Sequence, residues 1–135
     1  MTPDERRLLV ERQVGKALHF LSQADEMMQV RHFDMAANRY YYACFHVVQA
    51  LFIQREISGH THTGMITQFS KYFVKTEMVS IEDGSLLARL FQLRQKADYN
   101  CAYDVSEEEV QSLEGPVKRF VNNIIILITN YKDIE

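Results

Sequence analysis

Residues 37–51 read Ala37-Asn38-Arg39-Tyr40-Tyr41-Tyr42-Ala43-Cys44-Phe45-His46-Val47-Val48-Gln49-Ala50-Leu51, and this run decides the fold. Ala37, Tyr40, Tyr41, Cys44, Val47, Val48 and Leu51 recur at the three- and four-residue spacing of a helix face. Ala43, Ala50 and Ile53 add an adjoining stripe. A helix apolar over so much of its circumference belongs at the centre of a bundle. Asp34 is placed to cap it, and it is expected to end near Glu56, with Ser58-Gly59 as the stop.

Four further helices are expected around it. Thr2-Pro3-Asp4-Glu5 carries a capping residue, a proline at the first helical position and a glutamate three residues on. Leu8, Val14, Ala17, Leu18, Leu21, Ala24 and Met28 continue that helix to about Gln29. A third helix follows His60-Thr61-His62-Thr63-Gly64 and runs through Ile66, Phe69, Phe73 and Val74. A fourth covers roughly Asp83 to Asp98, with Leu86, Leu87, Leu90, Phe91 and Leu93 as its core face. A loop from Asn100 to Val105 leads to Ser106-Glu107-Glu108-Glu109, a second capping box, and a helix to about Tyr131. Pro116 inside that last helix removes a backbone hydrogen bond and is expected to kink or break it.

The 135 residues fit one domain, residues 1–135, large enough to bury a core without disulfides or metal. Five glycines and two prolines are too few for a turn-rich sheet protein. A net charge of −3 argues against a protein that coats nucleic acid. Cys44 and Cys101 have neither disulfide nor metal spacing, which points to a reducing, cytoplasmic setting. No leader peptide is expected from Met-Thr-Pro-Asp-Glu-Arg-Arg. The longest aliphatic run, Ile124 to Ile128, is far shorter than the ~20 residues of a membrane helix.

Polar residues in the central helix need partners, because a dry unmatched group costs roughly 1–3 kcal/mol. Arg39 and His46 are seven residues apart and share a face, about 10 Å apart along the axis. Either Arg39 pairs with a buried acid, Asp98 being the best candidate, or the two residues face a pocket. Tyr40 or Tyr41 fills core and sends its hydroxyl to a polar partner, whereas Tyr42 lies nearer the Arg39–His46 face. His60-Thr61-His62 is a weak metal signature with no other His/Cys cluster to complete it, so no metal is expected. Arg94 and Lys96 either complement the end of the fourth helix or, for Arg94, face a cavity with Asp98 and Tyr99.

Three segments together resemble the HEPN-domain proteins of prokaryotes. Arg39 to His46 looks like an R-x-Y-Y-A-x-F-H helix. His62-Thr63-Gly64 with Phe69, and then Phe73-Val74-Lys75-Thr76, look like H-x-G-x-x-x-x-F and F-V-K-T. Leu93-Arg94-Gln95-Lys96-Ala97-Asp98-Tyr99 looks like L-R-x-x-A-D-Y. The likeness spans roughly residues 10 to 130.

The resemblance implies an all-α bundle of about five helices that forms a homodimer. It implies a partner too, since many such proteins act beside a minimal nucleotidyltransferase in toxin–antitoxin-like pairs. Active members are metal-independent endoribonucleases, needing no cofactor, that use an arginine, four to six residues and then a histidine. Here the residue five after Arg94 is Tyr99, so that histidine is absent from the fourth helix. Arg39 and His46, with six residues between them, keep the spacing on another helix.

The reading is therefore a nucleotide- or partner-binding module, with Arg39, Tyr42, His46, His62, Arg94, Asp98 and Tyr99 as candidate binding residues. Tyr99 is a candidate acceptor of a nucleotidyl group. The alternatives are an RNase acting on RNA, with Arg39, His46 and Arg94 as candidate catalytic residues, and a purely structural dimerisation module.

Overall fold

The computed structural model describes residues 1–59, 61–99 and 103–132. Among these residues the secondary structure is helical throughout: α1 Pro3–Gln29, α2 Phe33–Arg55, α3 His62–Phe69, α4 Ile81–Tyr99 and α5 Glu107–Thr129. A π-helical stretch, Ser70–Val74, extends α3. The expected all-α, five-helix architecture is thus what forms. His60, Cys101 and the start of the loop expected from Asn100 lie outside the described residues.

Both predicted capping boxes are present. Thr2 Oγ1 accepts the Glu5 amide at 3.1 Å, and Glu5 returns a carboxylate to the Thr2 amide at 2.9 Å. Ser106 and Glu109 do the same at the head of α5. Glu109 also accepts the Tyr103 hydroxyl at 2.5 Å, a bond that lifts the Tyr103 pKa to about 12.

α1 and α2 form an antiparallel hairpin that packs along its whole length. Each contributes buried residues at a seven-residue repeat: Val10, Ala17 and Ala24 on α1, and Ala36, Ala43 and Ala50 on α2. Small side chains at that interval let the two backbones approach closely along a coiled-coil-like seam. The remaining circumference of α2 is covered by α4 and α5, so α2 is the central helix. Tyr40, Tyr41, Leu51, Phe120 and Ile124 are wholly enclosed in this core.

Three local expectations need correction. Asp34 does not cap α2; its carboxylate instead accepts the Val105 amide at 3.1 Å, tying the α4–α5 connection to the start of the central helix. The end of α2 is made by Glu56, which takes the left-handed conformation at φ 57°, with the Ile57 amide returning to Phe52 O at 2.9 Å. Gly59 serves the next step of the chain: a Cβ there would stand 2.7 Å from the Phe52 ring. Finally, Pro116 does not break α5, which is continuous from Glu107 to Thr129. Leu113, Val117, Phe120 and Val121 are buried on both sides of the proline and hold its flanks in one helix.

Candidate functional site

Arg39, Tyr41, Tyr42 and His46 of α2 take part in two neighbouring clusters. The first is built on Phe20 of α1. His46 stacks on the Phe20 ring with centroids 5.2 Å apart and planes 3° apart. The Arg39 guanidinium lies over the same ring at 5.4 Å and donates to Asn38 Oδ1 at 2.6 Å. His46 Nδ1 donates to Gln13 Oε1 at 2.7 Å, which leaves Nε2 as the unprotonated nitrogen of the neutral ring.

The second cluster joins α2, α3 and α4. Tyr41 is fully buried, and its hydroxyl bonds His62 Nδ1. The His62 ring stacks on Phe91 at 5.7 Å and lies 4.9 Å from Phe45. The Arg94 guanidinium rests over Tyr41 at 5.7 Å and over Tyr42 at 5.5 Å. Its Nε is buried and makes no hydrogen bond, but pairs with Asp98 Oδ2 at 3.4 Å in an ion pair along α4. Tyr42 links the two clusters, its ring 6.2 Å from His46 and 6.4 Å from His62.

The Arg39–Asp98 pair expected above is not among the ion pairs of the described residues. Asp98 is engaged by Arg94, four residues away on its own helix, where the side chains meet without any crossing between helices. Arg39 finds its support on α1 instead. Tyr99 stands apart from both clusters, 82% exposed at the last residue of α4. Tyr40 reaches a different partner, donating to Asp25 Oδ1 of α1 at 3.0 Å.

Sequence reasoning missed Phe20 and Gln13, the two α1 residues that hold Arg39 and His46. Phe20 sits beside the apolar α1 positions and could have been found by extending their stripe. Nothing in the sequence marks Gln13. The expectation that Tyr40 or Tyr41 fills core and sends its hydroxyl to a polar partner holds for both, but it named neither partner, and the Tyr41 hydroxyl is what fixes His62.

Both histidines are held below the ordinary imidazole value of 6.5. For His46 the main cause is burial, with the Lys16 charge adding to it. For His62 it is burial again, followed by the Arg94 charge. Both rings are therefore neutral at pH 7 in the fold, whereas the unfolded chain protonates them near 6.5. As pH falls through 6.5 the unfolded state binds more protons, so stability present above that value is lost on acidification. The thermal midpoint is expected to fall between pH 7.5 and pH 5.2, a window chosen to stay above carboxylate titration. A scan of the double variant His46→Gln/His62→Gln should show a smaller fall; an equal one would assign the effect to other groups.

Among the described residues no three His, Cys, Asp or Glu side chains come together as a metal site. No helix is long and apolar enough to cross a membrane.

Comparison with known proteins bears on the same segments. The family model described as "HEPN domain" matches residues 10–126. "Putative toxin MJ0142" of Methanocaldococcus jannaschii is 30% identical over 84% of this chain and 77% of its own length. A "UPF0332 protein" of Thermotoga maritima is 30% identical over 96% of this chain and 98% of its own length. "Putative toxin MJ0605" of M. jannaschii is 32% identical over 77% of each chain.

Proposed function

The chain belongs to the HEPN family, and on that premise we propose that it is the HEPN component of a toxin–antitoxin-like pair, dimeric, binding a nucleotide or a nucleotidyltransferase partner at the Tyr42–His62–Arg94 surface. The observation that carries this reading is Arg94. Its guanidinium carbon lies 5.7 and 5.5 Å from the ring centroids of two tyrosines, only 21% of its side chain is exposed, and its buried Nε lacks a hydrogen bond. A cation held rigidly beside a neutral imidazole and a half-buried phenol suits an anionic ligand with a flat ring: the cation takes phosphate and the aromatics take the base. The toxin names of two relatives support the two-component setting.

Tyr99 serves this reading as the outward acceptor. Its hydroxyl, exposed at the end of α4, is open to a partner's active site. There the phenolic oxygen attacks the α-phosphorus of a bound nucleoside triphosphate. The bond to the bridging oxygen of the β-phosphate breaks, pyrophosphate leaves, and the phenolic proton passes to solvent.

A second reading is favoured by one observation: Arg39 and His46 meet on Phe20, and the Gln13 bond leaves His46 Nε2 as a base. That arrangement suits removal of a ribose 2′-hydroxyl proton in RNA cleavage.

One set of measurements separates these readings. The expected result is a dimer by size exclusion with light scattering, and saturable ATP binding by calorimetry, weakened at least tenfold in Arg94→Ala. A strict monomer that takes up no ATP overturns the binding reading. RNA cleavage lost in His46→Ala would transfer the assignment to the second site. A dimer that neither binds ATP nor cleaves RNA would leave only structural dimerisation.

A further inference from the structure

The buried hydroxyl of Tyr41 fixes the state of His62. Among the described residues its one hydrogen-bond partner is His62 Nδ1. A phenol in the core must place its proton on an acceptor, so Tyr41 Oη–H donates and Nδ1 accepts. The neutral ring then carries its proton on Nε2. His62 is half-buried rather than enclosed. It presents an N–H donor, while Arg94 presents its terminal guanidinium nitrogens. Both groups stand against the same two rings. The His62 ring lies 5.6 Å from Tyr41 and 6.4 Å from Tyr42, and the Arg94 Cζ lies 5.7 and 5.5 Å from them.

We propose that His62 of α3 and Arg94 of α4 together seat one phosphate group, and that its binding is coupled to uptake of a proton by His62. The proposal rests on the nucleotide-binding reading of this surface and deepens it. In the empty protein, burial and the Arg94 charge keep the ring neutral. An anion between the two cations reverses the charge penalty. The proton enters at Nδ1, and Tyr41 Oη turns from donor to acceptor. Burial raises the phenol's own pKa and keeps it protonated, so its O–H gives up its bond to Nδ1, a cost that the contacts of the phosphate with His62 and Arg94 must exceed. The charged and titratable groups around His62 are Tyr41 and Tyr42 on α2 and Arg94 with its partner Asp98 on α4. His46 shares the neighbours Tyr42 and Phe45 with it.

The segment that carries His62 thus has a chemical part in the site. Arg94 provides permanent charge, and His62 provides charge only when the ligand is in place. Phosphate binding at this seat strengthens as the medium acidifies, whereas the empty fold weakens.

The test uses the full chain and a 2′-deoxy dinucleoside monophosphate. Its single phosphodiester keeps one charge across the pH range, and it has no 2′-hydroxyl to react. Inorganic phosphate and the free nucleoside are the companion probes. The His62 ring resonances, assigned by their loss in His62→Gln, are followed by NMR. Saturating dinucleotide is expected to raise the His62 titration midpoint by about one pH unit, so that binding tightens on acidification from pH 8 towards a limit of roughly tenfold, reached below the midpoint of the unliganded protein. The nucleoside should leave the midpoint in place, and Arg94→Gln should remove the shift.

Binding by His62→Gln is expected to be weaker and flat with pH. An unmoved midpoint at saturation overturns the proposal, as does His62→Gln binding with the wild-type pH profile. In either case ATP binding lost in Arg94→Ala leaves the broader reading standing. Inorganic phosphate moving the midpoint as far as the dinucleotide would place recognition in the phosphate alone; a shift with the dinucleotide only would require the bases as well. Both support the seat.

Discussion

Tyr41→Ala is expected to lower the unfolding free energy by about 3–5 kcal/mol, the range for truncating a large aromatic in a packed core. Tyr41 is wholly buried. Its ring lies against Tyr42, Phe45, His62 and Phe91, so the cavity would open at the point where α2, α3 and α4 meet. His62 Nδ1 would lose its donor and the Arg94 guanidinium one of its two rings. For a chain of this size the loss corresponds to a fall in melting temperature of about 10–20 °C. Tyr41→Phe separates packing from polarity. It keeps the ring and removes one hydrogen bond, so it should cost only about 0.5–1.5 kcal/mol. Calorimetric or denaturant unfolding of both variants decides the matter. Equal losses would mean that the hydroxyl, not the ring, holds this junction.

Phe120→Ala is expected to cost a similar ~3–5 kcal/mol through packing alone. Phe120 is fully buried on α5, with its ring 5.7 Å from that of Phe69 on α3. It touches neither histidine cluster through a ring contact. Its loss should lower the urea midpoint without altering the slope, the mark of a stability change between unchanged end states. Below the transition, ATP affinity should match wild type, whereas Tyr41→Ala should lower affinity as well as stability. A Phe120→Ala protein that stays folded but loses ATP binding would show that the site depends on α5 as much as on α4.

Much of the fold was legible because the helices carry their own boundaries. Thr2-Pro3-Asp4-Glu5 and Ser106 to Glu109 satisfy their first-turn amides with neighbouring side chains, so local sequence suffices. The apolar stripes of α2 likewise predict its central burial. The errors came where a side chain had a choice of partner. Asp34 is a good cap by type, yet it serves an amide 71 residues away. Pro116 is a helix breaker by type, yet tertiary burial on both sides keeps α5 whole. The site was legible as a set of unusual polar residues on α2 and α4. It was not legible as a geometry, since two of its decisive supports, Phe20 and Gln13, look ordinary in sequence, and the need of a core tyrosine hydroxyl for a partner does not say that the partner of Tyr41 is His62.

By itself the sequence determined an all-helical bundle, its central helix and its HEPN membership, because periodicity, capping and local motifs are properties of single segments. Only the tertiary structure decided which polar groups meet. Periodicity fixes the face of a helix but not its rotation and offset against a neighbour, and a shift of one residue turns a side chain by about 100°. That unknown separated the expected Arg39–Asp98 pair from the observed arrangement. Arg39 stands on Phe20, Asp98 on Arg94, and a histidine from α3 lies against the two tyrosines that carry the arginine.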